Sequence, residues 1–265
     1  MIVGPKKSLY KENILRFNTN EFKKKYKVEV VFEETIYDRT RIVYEVSVEN
    51  LEVIASGNYL CYVVMNNFLI NNKEPDLIME QLAHKCRKPY ETLVLIISKN
   101  GEIIGLNNHP DIIEKWNVLK KRLAVEYSGK EFEKYVQLTE DAIIKPEIFL
   151  SKLKNDIFIS QFFYPIYEEA FIGFAKKNIE SAKFFNINYK INMLLSIQDE
   201  GELNEDGNMI IKKSIDKNEY NFHQMPIDSF DTEYVLNSKS EIVKIKGKFD
   251  NHNRRCIFNI IEKIK

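Results

Sequence analysis

The chain has 265 residues and 44% of them are hydrophobic, which is enough to bury a substantial core. Lysine plus arginine and aspartate plus glutamate both number 39, so the balance of charge gives no support to nucleic-acid binding or to an anionic membrane surface. The N-terminus lacks the apolar stretch of a secretory signal. No segment approaches the roughly 18 apolar residues of a membrane helix. The odd number of cysteines argues against a disulfide scaffold. We therefore expect a cytoplasmic protein without a membrane span.

Strand patterns dominate the first part of the chain. The polar segment 1–24 predicts a short helix or an arm, with Phe17 and Phe22 as its candidate anchors. Alternation with a period of two over 27–37 and 41–54 predicts a long hairpin. Segment 58–70 is apolar and fits either a strand or a helix. A helix is predicted to begin at Pro75, because its apolar residues follow helical spacing and cations lie near its end.

A second hairpin and three helices follow. Segment 92–106 contains Asn-Gly between two aliphatic runs, which is the strongest short hairpin signal. Pro110 suits the first turn of a helix that Gly129 can end. Further helices are predicted over 130–142 and 146–154.

Aromatic residues are concentrated in segment 156–174, where Pro165 should end or kink any helix. Strand patterns then return for the rest of the chain. The predicted strands are 183–198, 208–215, 232–237, 241–249 and 256–264.

Two hairpins have similar sequences. Both begin with an acidic residue and threonine, at Glu91-Thr92 and at Asp231-Thr232, and both have a Ser-Lys turn. Both continue with Glu-Ile and an aliphatic residue, shifted by one position between the two. A long strand pair precedes each of them, at 27–54 and at 183–215. The pattern predicts an internal duplication, although hairpins draw on a small set of turn residues and chance similarity remains the alternative.

These patterns predict the fold class α+β, with two antiparallel β-rich halves packed against a central helical segment. The expected organisation is an N-terminal β-rich half with one helix at 1–108, a helical middle at 109–174 and a C-terminal antiparallel half at 175–265. We expect the three parts to form one compact unit. A curved sheet, or a pair of sheets, covered by helices can enclose a groove for a peptide or an apolar ligand.

The segment around Lys-Asn-Gly-Glu-Ile (99–103) resembles uncharacterised β-rich proteins of Bacteroidetes-like bacteria. Some of those proteins are similar in architecture to lipoprotein-carrier folds. The resemblance covers about 30 residues, and no functional residue is transferred from it.

Metal-binding residue types occur in two pairs. His84 with Cys86 and His252 with Cys256 together supply the nitrogen and sulfur ligands of a tetrahedral zinc site. The pairs lie far apart in sequence, however, and buried thiols are the simpler interpretation of both cysteines. We therefore predict no metal and no cofactor.

Motifs of catalysis are absent from the sequence. It has no G-x-S-x-G elbow, no P-loop and no G-x-G-x-x-G. His109 lies at a predicted helix start, and the acidic cluster at 199–206 is interpreted as a solvated hairpin tip or as a recognition surface for a basic partner. His223, in a predicted loop, is the histidine that the fold explains least. An enzyme with unrecognised motifs is therefore the less favoured class.

The predicted binding residues come from the aromatic segment and the loop histidine. They are Phe162, Phe163, Tyr164, Tyr167 and His223. The aromatic residues are too many to be exposed together on a monomer, so they either form the core or line a groove or an interface.

The sequence predicts a non-enzymatic binding protein that engages a protein partner. An adaptor, a chaperone or a toxin-neutralising protein, linked to a bacterial secretion system, fits this interpretation. The first alternative is a carrier that holds a lipid or another apolar small molecule in a groove between sheet and helices, and the second is an enzyme. No nucleic-acid partner is expected.

Overall fold

The computed structural model describes residues 15, 22–34, 38–167, 175–184, 187–198, 203–219, 227–252 and 254–263. The strands are β1 (Lys23–Glu33), β2 (Arg39–Val53), β3 (Tyr59–Ile70), β4 (Thr92–Ile97), β5 (Ile103–Leu106), β6 (Ala175–Phe184), β7 (Ile187–Ile197), β8 (Met209–Ile215), β9 (Ser229–Leu236), β10 (Ile242–Asn251) and β11 (Arg254–Glu262). The helices are α1 (Ile78–Arg87), α2 (His109–Glu126), α3 (Lys130–Ile144), α4 (Pro146–Leu153) and α5 (Ile157–Phe162). The described helices include none that is both long enough and apolar enough to span a bilayer.

The described strands form one antiparallel sheet. Its order is β5-β4-β3-β2-β1-β11-β10-β9-β8-β7-β6. The two strand-rich parts of the chain meet where β1 pairs with β11, with Tyr26 opposite Glu262. The prediction of an antiparallel α+β fold is thereby confirmed.

The structure decides one segment that the sequence left ambiguous and corrects another. The ambiguous segment 58–70 is strand β3, because β2 and β4 pair with it on either side. The single strand predicted over 183–198 is wrong, since β6 and β7 are separate antiparallel strands that pair from Ala175 opposite Ser196 to Phe184 opposite Ile187. Segment 175–182 is polar and gives little apolar alternation, as is common for a strand at the edge of a sheet.

One face of the sheet, here called the inner face, carries the core. Alternate residues point to it, as in β9, where Phe230, Thr232 and Tyr234 are buried while Asp231 is exposed. The period of two thus separates an apolar face from a charged outer face.

The sheet is strongly curved, as the contacts of Tyr167 demonstrate. Its backbone N–H donates to the carbonyl of Asn100 at 3.2 Å, in the turn between β4 and β5. Its hydroxyl donates to the carbonyl of Ser240 at 3.0 Å, in the turn between β9 and β10. In a flat sheet these turns would lie about 29 Å apart, which is six strand spacings. A single tyrosine touches both, so the sheet bends around its inner face.

Helix α5 packs its aromatic side chains onto the inner face. The rings of Phe158 and Phe162 stack with centroids 4.8 Å apart, and Tyr26 of β1 meets Phe162 edge-on at 5.1 Å. Phe22 lies 6.4 Å from Phe162 and is buried, as predicted for an anchor of the N-terminal arm; Phe17, the other predicted anchor, lies outside the described residues. These contacts make the described part of the aromatic segment, residues 156–167, part of the core.

The two hairpins with similar sequences have turns of the same geometry. Each turn, at 98–102 and at 237–241, is closed by a backbone N–H···O bond of 2.9 Å between its first and fifth residues. The fourth residue has a positive φ in both, 91° at Gly101 and 63° at Ser240. This is the turn with a bulge that short hairpin loops commonly adopt, so the duplication itself stays a prediction.

Candidate functional site

A groove with a volume of about 560 Å³ opens between the inner face and the helices, a size typical of small-molecule sites. We call it the sheet–helix groove. Its sheet wall consists of Val30, Phe32, Ile42, Tyr44, Phe68 and Ile70. Its opposite wall includes Met79, Ala83, His84, Arg87, Tyr135 and Ile157. The lining is therefore mainly apolar, with a few polar groups at defined places.

A bulge in β3 directs Phe68 into the groove. The pairing of β2 with β3 shifts register between Val43 and Glu45, next to Asn67, which has a φ of 55°. Asparagine tolerates this left-handed conformation better than most residues, and the Asn67 side chain donates to Glu45 at 3.1 Å. Phe68 consequently stacks on Tyr44, with ring centroids 4.6 Å apart.

Tyr44 joins the sheet wall to the start of α5. Its hydroxyl donates to the Asp156 carboxylate, with distances of 3.1 and 3.3 Å to the two oxygens. Asp156 also accepts the backbone N–H of Ile159 at 3.1 Å and so caps α5. Burial, and next the charge of Asp156, raise the pKa of Tyr44 well above its ordinary value, so this phenol stays a neutral donor.

Arg87, the last residue of α1, brings a positive charge to the apolar wall. Its guanidinium carbon lies 3.5 Å from the centroid of the Phe68 ring, within cation–π range, and Nη2 donates to the Met65 sulfur at 2.8 Å. Nη1 is buried and has no hydrogen-bond partner among the described residues. A thioether is a weak acceptor, so the guanidinium is poorly satisfied for a group in such surroundings.

A second cavity, of about 390 Å³, adjoins the groove between α3, α4 and the sheet. The two share three lining residues, Arg87, Tyr135 and Asp156. Arg87 therefore stands where both cavities meet.

His84, one turn before the end of α1, should make the stability of the folded protein depend on pH. Burial, followed by the charge of Lys88, lowers the pKa of His84 below its ordinary value of 6.5. The folded state thus binds this proton less readily than the unfolded state, so the stability contribution is complete above pH 6.5 and is lost as the pH falls below it. We expect the free energy of unfolding to decrease from about pH 7 to about pH 5, and to decrease less in H84Q. Urea unfolding at both values measures this, and equal decreases in the two proteins would contradict it.

The predicted aromatic residues lie elsewhere. Phe162, Phe163, Tyr164 and Tyr167 are buried, and none of them lines the sheet–helix groove. His223 lies outside the described residues. The assignment of these residues to binding stays a prediction.

Tyr164 has a neighbour that the sequence did not suggest. Lys213 is fully buried on the inner face, its Nζ lies 4.0 Å from the centroid of the Tyr164 ring, and it donates to Gln161 at 2.8 Å. A buried ammonium needs such partners, because an uncompensated charge in the interior is strongly unfavourable.

The histidine and cysteine pairs are separated. Burial raises the pKa of Cys86 to about 11 and that of Cys256 to about 12, so both remain protonated thiols of low reactivity. His252 is exposed, and His109 begins α2 with Nε2 2.7 Å from the carbonyl oxygen of Ile143. Within the described ranges, no three side chains of metal-binding type come together.

The groove residues were not identified from the sequence. Arg87 belongs to a cationic run that was interpreted only as the end of a helix, and Phe68 to a segment of ambiguous structure. The one available signal was the position of Asn66-Asn67 inside an apolar run, which is typical of an interruption such as a bulge.

Comparisons with known proteins found solved structures of low similarity, among them the two that follow. No family model matches the chain, and no curated protein does. A LolA superfamily protein from Nitrosomonas europaea has 8% identity and a TM-score of 0.30, over 95% of this chain and 89% of that chain. A putative outer membrane lipoprotein-sorting protein domain from Vibrio parahaemolyticus has 9% identity and a TM-score of 0.23, over 91% of this chain and 85% of that chain. Similarity at this level does not assign a function.

Proposed function

We propose that this protein is a carrier that holds an apolar small molecule in the sheet–helix groove. The observation that carries the proposal is the groove itself, about 560 Å³ in volume and lined mainly by aliphatic and aromatic side chains. This was the first alternative at the level of sequence, and the geometry favours it over the adaptor interpretation.

The character of the walls supports an apolar ligand. Phe32, Ile42 and Phe68 are only partly buried although they pack against the core, so apolar surface remains open to the groove. Removing this surface from water stabilises a complex by about 25 cal/mol per Å² before the losses of association are subtracted. A ligand without charged groups along its length matches these walls.

Filling the groove tests the proposal. Ala83 lines the groove on the helical wall and is exposed, so a tryptophan there would occupy the space of a ligand. We expect A83W to bind the fluorescent probe cis-parinaric acid at least about tenfold more weakly than the unchanged protein. The measurement is a fluorescence titration, together with a thermal melt that shows the variant to be folded.

The matched control is A124W, an exposed position on α2 outside the groove lining. It should bind the probe as the unchanged protein does. If A83W also binds the probe normally, or if the unchanged protein does not bind it, the carrier proposal is wrong.

A protein partner remains the second candidate. Exposed apolar side chains on the helices favour it, namely Val118, Val125, Leu138, Ile144 and Ile148. Apolar residues on a helical surface are common at protein interfaces, but single exposed residues are also normal. V125E, at the most exposed of these positions, should abolish capture of a partner while leaving probe binding unchanged.

We also propose that the sheet arose by duplication of a five-stranded unit, β1–β5 and β6–β10. The support is positional: in this alignment the two similar hairpins are both the fourth and fifth strands of their unit. The turns at 54–58 and 204–208, each between second and third strands, also share one hydrogen-bond pattern. Such a repeat would supply enough adjacent strands for the sheet to curve around a ligand.

A further inference from the structure

We propose that the ligand is a long-chain carboxylate, with its chain in the sheet–helix groove and its carboxylate bound by Arg87. This inference rests on the proposed carrier function and specifies the head group of the ligand as a carboxylate. A fatty acid is the ligand class that combines one apolar chain with one carboxylate.

The state of the Arg87 guanidinium carries the inference. Nη1 is buried without a described partner, and the contact of Nη2 is a thioether. No ion pair forms at Arg87 within the part of the chain that the structure describes. A planar guanidinium offers two parallel N–H groups that match a carboxylate, and burial strengthens such a charge-assisted pair.

Among the ionisable groups that line the groove, Arg87 is the one that can pair with the carboxylate of a ligand. The carboxylate of Asp156 already accepts the Tyr44 hydroxyl and the amide that begins α5. Glu80 is a half-buried residue of the lining, and its carboxylate accepts the backbone N–H of Asp76 at 3.4 Å. His84 is the remaining titratable lining group on α1, and it lies beside the ring of Phe68. The partly buried guanidinium of Arg87 therefore faces the apolar space, and its single positive charge matches a monoanion.

The position of Arg87 also fits an amphiphile. Its charge lies against the Phe68 ring, and Phe68 is part of the apolar sheet wall. A carboxylate head group bound there leaves the hydrocarbon chain of the ligand in contact with Phe32, Ile42 and Ile70. The second cavity meets the groove at the same residue and offers further space beside the head.

Competition between ligands of equal chain and different head tests the inference. With cis-parinaric acid bound, palmitic acid, cetyl alcohol and methyl palmitate are each titrated as displacing ligands. We expect palmitic acid to bind about tenfold or more tightly than either neutral compound, since a hydrogen bond to a charged group contributes more than a neutral one. In R87M this preference should disappear, so that palmitic acid binds no more tightly than cetyl alcohol.

The control variant is R122M, which removes an exposed arginine from α2 and should retain the preference. If the unchanged protein binds all three compounds equally, the inference about the head is wrong and the carrier proposal stands. Binding of none of them overturns both. A preference that persists in R87M overturns the role of Arg87. If R87M does not fold, R87K supplies the comparison, because it keeps the charge but loses the planar pair, and an unreduced preference there contradicts the guanidinium geometry.

Discussion

Replacing Phe162 with alanine should lower the free energy of unfolding by about 3–5 kcal/mol, the range for removing a buried aromatic side chain. The ring is buried among other aromatic rings. It stacks on Phe158 at 4.8 Å, meets Tyr26 at 5.1 Å and meets Phe163 at 5.1 Å. Alanine would leave a cavity at the contact between α5 and the sheet. Equilibrium denaturation in urea measures the change.

The matched control is F132A. Phe132 is also a helical phenylalanine in contact with one aromatic ring, Tyr127 at 5.8 Å, but it is only partly buried. Its loss should be clearly smaller than that of F162A. If F162A melts normally and instead loses binding of a partner, Phe162 belongs to an interface, which is the alternative to the core that the sequence left open.

Substituting valine for Gly247 should destabilise the protein by about 1–3 kcal/mol or more, because it overfills a packed core. A Cβ at this position would lie 2.1 Å from Cζ of Phe258, and 2.7 and 2.8 Å from two further ring carbons. Phe258 is fully buried, so its ring has little room to move away. The closeness of the backbone of β10 to this ring is what requires glycine. Thermal and urea unfolding measure the effect.

A double variant tests the cause of that loss. F258L shortens the side chain over Gly247, so G247V combined with F258L should be more stable than the sum of the two single losses predicts. G105A serves as the control, since a Cβ there would lie 3.2 Å from the nearest atom, at the end of the Ile96 side chain. Strict additivity of G247V and F258L would contradict the steric explanation.

Local signals in the sequence predicted much of the fold. Asn100-Gly101 marked the turn between β4 and β5, and Pro110 stands in the first turn of α2, which begins at His109. Alternation identified β1, β2 and β9 because one face of each is buried. Strand β6 was not predicted. It lies at the edge of the sheet and is held by backbone pairing with β7, and its own sequence has little apolar alternation. A curved sheet was one of two arrangements that the sequence predicted, and the contacts of Tyr167 with distant turns decide in its favour.

The candidate site was not predictable to the same extent. Phe68, Tyr44 and Arg87 lie on β3, β2 and α1, and only folding brings them together. The density of aromatic residues at 156–174 predicted a binding site there instead, although dense aromatic sequence is equally typical of a core. Arg87 has no distinguishing sequence context, because its importance lies in a buried N–H without a described partner, which exists only in the folded structure.

The pairing of β1 with β11 has a consequence for how the molecule is made. Strand β1, which supplies Val30 and Phe32 to the groove, is an unpaired edge until the last described strand has been synthesised. Contacts between such distant parts of a chain slow folding. An apolar strand whose edge is still unpaired is prone to aggregate before folding is complete. A chain lacking β11 should therefore accumulate as insoluble material, and the complete chain should refold over milliseconds to seconds rather than microseconds.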